Sequence, residues 1–162
     1  CEPVLKAVKY AGIEQARPST RLMACLEEQP DAPIDIVLGP SNPFLSLGPI
    51  LDIPDMVPSL RARARRVIAV SPIVGGHALK GPAAKIMGEL GLPQSALAWT
   101  QWMDGRYPGF VDTWVWDEAD RDLLVSSDKR YEDIRTTATV MSEPSVASNF
   151  AQWLLEACTV DA

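Results

Sequence analysis

The feature that most restricts the fold is a strand-like run, VIAV at residues 67–70, which opens straight into SPIVGGHALKGP at residues 71–82 and then into a helix-forming stretch, AAKIM at 83–87. A short apolar run, a glycine-rich loop and a helix in that order form the unit from which open α/β sheets are built. Gly75, Gly76 and Gly81 permit positive φ and close backbone approach to a ligand, and Lys80 places a mobile cation beside them. Pro82 fits the first helical position, where its missing N–H costs nothing and the next N–H groups point outward. Such a helix start suits an anion, with a dipole contribution of about 0.3 to 1 kcal/mol beyond the hydrogen bonds. On these residues alone the ligand is a phosphate or a carboxylate.

A second loop of the same kind follows IDIVL at residues 34–38, a short run rich in β-branched residues that ends in Gly39, Pro40, Ser41, Asn42 and Pro43. In an open parallel sheet, ligands occupy the crevice beyond the carboxyl ends of the strands, so two such loops on adjacent strands would face one pocket. Gly, Pro, Ser and Asn are also the ordinary residues of a turn, so the loop has a purely structural reading as well.

Composition limits the partners. The 162 residues, 47% hydrophobic and 22% charged, suffice for one α/β domain over residues 1–162. A net charge of −6 provides no long-range field for nucleic acid or an anionic membrane, so any phosphate site must be local. The only basic cluster, RARARR at 61–66, lacks interleaved aromatic residues and reads as a solvated helix end. Cys1, Cys25 and Cys158 are odd in number and widely spaced, which fits reduced thiols of a cytoplasmic protein, and they offer no metal-binding spacing. No apolar run approaches the roughly 18 to 20 residues of a membrane helix.

Around the two loops, residues 3–10 alternate as a strand before Gly12, and Ser19 caps a helix carrying Leu22, Met23 and Leu26 that stops before Pro30. Residues 44–54 suggest a short helix capped by Ser46, and Asp55 begins another through Arg65. The helix from Pro82 stops at Gly91. Residues 94–103 form a further helix, whose Trp99 and Trp102 are core residues by spacing, with stacking on a flat heterocycle as the alternative. Residues 110–116 and 135–141 read as strands, and a closing amphipathic helix begins at Pro144 or Ser145, with Val146, Phe150, Trp153, Leu154 and Ala157 inward. Asp117 and Asp120 are explained as a cap and a first-turn acid without a metal. His77, the only histidine, is an exposed loop residue rather than a general base.

Taken together, DIVLGPSNPFLSLGPIL, RVIAVSPIVGGHALKGPAAKIMGELG and GFVDTWVWDEAD resemble the 2-phospho-L-lactate transferase family of coenzyme F420 biosynthesis. The resemblance implies a Rossmann-like fold, a mostly parallel sheet with helices on both faces. It also implies transfer of a phospholactyl or phosphoenolpyruvyl group from a guanosine diphosphate conjugate to the deazaflavin Fo, with release of GMP, a requirement for Mg²⁺, and a homodimer. Placed on this chain, it assigns Gly39, Ser41 and Asn42, with Pro40 and Pro43 shaping their loop, to phosphate or ribityl oxygens. Ser71, Pro72, Gly75, Gly76, Lys80 and Gly81 are assigned to the nucleotide diphosphate.

The family's opening glycine-rich loop and its early metal-holding aspartates have no counterpart here, and the chain begins CEPVLKAV without an initiator Met. The expectation is therefore the C-terminal part of a larger transferase, with the metal ligands outside this chain and no catalytic residue assigned. Two alternatives stand beside it: a nucleotide-binding or regulatory protein of a related nucleotide-sugar-binding group, and an inactive fragment of the transferase.

Overall fold

The computed structural model describes residues 4–28, 32–78, 81–126, 131 and 133–159. In chain order the elements are α1 (Thr20–Glu27), β1 (Ile34–Leu38), α2 (Gly48–Leu51), α3 (Met56–Arg63), β2 (Ala64–Val70), the two-residue strands β3 (Ile73–Val74) and β4 (His77–Ala78), α4 (Ala83–Glu89), α5 (Ala96–Arg106), β5 (Thr113–Asp117), β6 (Ile134–Thr137) and α6 (Pro144–Thr159). Four strands run parallel in the order β1-β2-β5-β6, the expected Rossmann-like α/β sheet.

Successive strand residues point to opposite faces, and both faces are covered. Val67, Ala69 and Trp114 face a core that draws on α1 to α5, whereas Ile68, Val70 and Val115 pack against Phe150 and Ala157 of α6. All five residues of β5 are therefore buried. Trp99 lies in this core, edge-on to Trp114 at 5.5 Å between ring centroids, as its helical spacing predicts.

Several expected boundaries move, each for a physical reason. Pro3 lies outside the described residues, and residues 4–10 join no sheet among the described residues. Alternation sets which face a strand shows, but a strand exists only where a neighbour takes its backbone hydrogen bonds. This segment is instead tied by Leu5 N–H to Glu89 Oε2 at 3.1 Å and by the Tyr10 hydroxyl, which donates to the Phe44 carbonyl at 2.5 Å. The stretch after β1 is a π-type turn over Pro43–Leu47 running into α2, and Asn42 rather than Ser46 caps it.

α3 ends at Arg63 and β2 begins at once, so the basic run 61–66 straddles two elements. Its arginines are internal ties: Arg61 pairs with both oxygens of Asp112, Arg65 with Asp35, and Arg66 donates to the Ala157 carbonyl. Residues 110–112 precede β5 because Asp112 uses its carboxylate to accept the Val67 N–H at 2.7 Å. At the other edge β6 stops at Thr137, and Thr139 turns toward Asp117. Among the described residues no helix is long and apolar enough to cross a membrane.

Candidate active site

Because β1, β2 and β5 are parallel and adjacent, the segments that follow them leave the sheet at one end. The loop 39–42 and the segment 71–78 thus become neighbours, and α4 packs against the 43–47 turn. A Cβ at Gly39 would meet nothing within 4 Å, so open space lies beside the first loop.

Asn42 uses its side chain asymmetrically. Its Oδ1 accepts the Phe44 N–H at 2.9 Å and the Leu45 N–H at 3.0 Å, which starts the turn. Its Nδ2 is buried and has no acceptor among the described residues. A buried amide donor without a partner costs about 1 to 3 kcal/mol, which an incoming acceptor would recover. Ser41 is half-buried beside it, and Pro43 is buried as the first residue of the turn.

The second segment differs from an open anion loop. Ser71 is buried, and its hydroxyl both accepts the Ile73 N–H at 3.1 Å and donates to the Ile73 carbonyl at 3.0 Å; Pro72 is buried beside it. Gly75 and Gly76 are the two central residues of a hairpin between β3 and β4, at φ of 55° and 78°. Positive φ at both positions is what a tight two-residue hairpin requires. A Cβ at Gly75 would touch nothing, so Gly75→Ala should cost only backbone strain, about 1 to 2 kcal/mol, and Gly75→Asn distinctly less. Urea denaturation of the two variants checks that order. His77 is exposed in β4, opposite Val74. Gly81 is exposed at φ 71°, and Pro82 stands just before α4 rather than as its first residue. Lys80 lies outside the described residues.

Beyond β5, Asp117 and Asp120 close this end of the sheet. Asp117 Oδ1 accepts the Ala119 N–H, and Oδ2 accepts both the backbone N–H and the hydroxyl of Thr139. Asp120 accepts the Gly75 N–H at 3.1 and 3.2 Å to its two oxygens, so the hairpin is clasped by a carboxylate from the 3-10 helix Glu118–Ser126 that follows β5. Among the described residues no three His, Cys, Asp or Glu side chains converge, and these aspartates spend their oxygens on backbone and hydroxyl donors; the residues present do not fit the Mg²⁺ that the resemblance implies.

Burial pushes the Asp120 carboxyl above the ordinary range, the Gly75 N–H draws it back, and the neighbouring Asp117 charge raises it further. A carboxyl raised in the folded state contributes stability in its protonated form; that contribution is full below the unfolded value and is lost as pH rises through the folded one. Asp120→Asn, which keeps an acceptor for Gly75, should therefore raise Tm at pH 7 and leave it unchanged near pH 3. Thermal melts at the two pH values test this, and a gain of equal size at both would refute the charge explanation.

Of one further group of residues at this end, sequence reasoning singled out only Trp102. Tyr10, Phe44, Trp102 and Arg106 border a cleft of about 460 Å³ together with Lys6 and Lys9. Arg106 is held there by Asp52, which accepts two of its N–H groups as well as the Tyr107 hydroxyl at 2.7 Å. Burial and then the Asp52 contact push the Tyr107 hydroxyl well above its ordinary value, so it stays a proton donor. The signals in the chain were Trp102, with stacking on a flat heterocycle as its alternative reading, and Lys6 and Lys9 near Tyr10, in a stretch that reads as a plain strand.

The model of the family described as 2-phospho-L-lactate transferase CofD matches residues 2–148. The chain belongs to the 2-phospho-L-lactate transferase family. It is 35% identical over 120 residues to the 2-phospho-L-lactate transferase of Methanosarcina mazei, covering 74% of this chain and 36% of that protein. The 2-phospho-L-lactate transferase of Methanococcoides burtonii is 31% identical over 150 residues, 93% of this chain and 46% of the relative. The phosphoenolpyruvate transferase of Mycobacterium leprae is 30% identical over 154 residues, 94% of this chain and 44% of the relative. The chain thus spans less than half the length of these curated relatives.

Proposed function

We propose that this chain contributes the phosphate-handling end of a transferase that moves a phospholactyl or phosphoenolpyruvyl group from a guanosine diphosphate conjugate to the terminal hydroxyl of the deazaflavin Fo. The observation that carries the reading is the buried Asn42 Nδ2, a donor without an acceptor among the described residues, at the carboxyl end of β1 in a chain of this family.

In the reaction the acceptor oxygen attacks the phosphorus that is esterified to the 2-oxygen of the lactate or enolpyruvate. A new P–O bond forms, the bond to the GMP phosphate oxygen breaks, and the acceptor proton is lost to the medium. Catalysis of such a displacement consists mainly of holding the two oxygens in line and stabilising charge on the nonbridging oxygens. Asn42 Nδ2 and the Ser41 hydroxyl supply donors to those oxygens, and the absent side chain at Gly39 lets the phosphate approach the backbone. Lys80, with the Gly76 and Gly81 amides, is assigned to the diphosphate. Ser71 and Gly75 act one step away, by shaping and clasping the hairpin.

Calorimetric titration with GDP and with Fo, each with and without Mg²⁺, tests this reading. Binding of both is expected, with a turnover assay on the guanylated donor to follow. Binding of neither by the folded chain would overturn it in favour of an inactive fragment.

A further inference from the structure

Residues 4–10 form a strap that joins no sheet among the described residues and meets the turn that follows β1. One end is held by Leu5, whose N–H donates to Glu89. The other is held by Tyr10, whose carbonyl accepts the Ile13 N–H at 3.2 Å and whose hydroxyl donates to the Phe44 carbonyl at 2.5 Å.

That hydroxyl bond continues into the candidate site. The Phe44 carbonyl and the Leu45 N–H belong to one planar peptide group, and this N–H donates to Asn42 Oδ1 at 3.0 Å. The Phe44 N–H donates to the same oxygen at 2.9 Å, so two bonds fix which half of the Asn42 amide faces the turn. Donors and acceptors thus alternate without a break from the Tyr10 hydroxyl, through the 44–45 peptide, to the Asn42 amide, whose buried Nδ2 has no acceptor among the described residues. Each amide in such a chain is polarised by the donor behind it and becomes the stronger donor in front.

The surroundings keep Tyr10 in this position. Gly48 has an ordinary helical φ of −55°, so its backbone does not call for glycine. An added Cβ there would collide with the Tyr10 hydroxyl and lie 2.7 Å from the Pro43 carbonyl, so the missing side chain makes room for the tyrosine and the turn. Burial, and then the Asp52 charge, push the Tyr10 hydroxyl above its ordinary value against a smaller pull from Arg106, and it stays a proton donor.

We infer, on the reading of Asn42 given above, that Tyr10 is a positioning residue: through the 44–45 peptide it fixes the Asn42 amide and strengthens Nδ2 as a donor to the phosphate oxygen of the ligand. Tyr10 acts without touching that ligand, from a stretch outside both glycine-bearing loops.

Tyr10→Phe keeps the ring and removes only the hydroxyl. GDP is titrated by calorimetry into the full chain, Tyr10→Phe, Asn42→Asp and the double variant, which close a cycle. Tyr10→Phe is expected to weaken GDP binding by about three- to tenfold, and by no more than about twofold in the Asn42→Asp background, because members of one network do not add. The Asn42 side-chain resonances in a nitrogen–proton correlation spectrum, identified by their loss in Asn42→Asp, should shift in ligand-free Tyr10→Phe. A lowered Tm with unchanged Asn42 resonances and unchanged GDP affinity overturns the inference, and so does an equal loss of affinity in both backgrounds. If Asn42→Asp itself binds GDP like the parent chain, the reading of Asn42 as a phosphate donor fails instead, and the resonances alone decide whether Tyr10 holds the amide.

Discussion

Asn42→Asp is expected to leave the fold intact while lowering affinity for GDP by roughly 10- to 100-fold. The two halves of the Asn42 amide have separate tasks. Oδ1 caps the turn through Phe44 and Leu45, and aspartate caps as well as asparagine does. Nδ2 is the buried donor without an acceptor among the described residues, and aspartate replaces it with an oxygen that repels phosphate. Unchanged urea stability with the affinity loss separates ligand binding from structure. Asn42→Ala makes the contrast, because it also removes the cap and should cost about 0.5 to 2 kcal/mol of stability. If Asn42→Asp binds GDP like the parent chain, residues 39–43 form a turn and nothing more.

Trp116→Ala should be the most destabilising single change at the sheet, by about 3 to 5 kcal/mol. The ring is completely buried in β5, and its Nε1–H donates to Thr100 Oγ1 at 3.0 Å, tying the central sheet to α5. Against a total stability of about 5 to 15 kcal/mol, that loss brings the chain close to unfolding at room temperature. Trp116→Phe keeps most of the packing but gives up the hydrogen bond to Thr100, for a smaller cost of about 1 to 3 kcal/mol. Urea midpoints of both variants decide the matter; a cost below about 1 kcal/mol for the alanine variant would contradict the packing described here.

Most of the sheet and much of its cover were legible in the residue order. The runs at 34–38 and 67–70 and the closing helix show their type by periodicity, because burial on one side or on both leaves a local record. The Gly75–Gly76 hairpin left almost none. Its strands are two residues each, too short for alternation to show, so the glycines resemble an open anion loop. Residues 4–10 misled in the opposite sense. They alternate like a strand, yet their partners are a carboxylate and a carbonyl rather than a ladder.

The sequence by itself determined that this is a parallel α/β chain with two polar, glycine-bearing loops, because strand and helix types depend on neighbours within a few residues. It also carried the motifs that mark the family. Only the tertiary structure decided which polar atoms of those loops remain open. Ser71 is closed on Ile73, Gly75 is taken by Asp120 from 45 residues away, and Asn42 keeps one donor unused among the described residues. It also decided the cleft, where contacts spanning 34 and 84 residues place a strap opposite Trp102. Hydrogen-bond donors are consumed through space rather than along the chain, so their final occupancy has no local signature in the sequence.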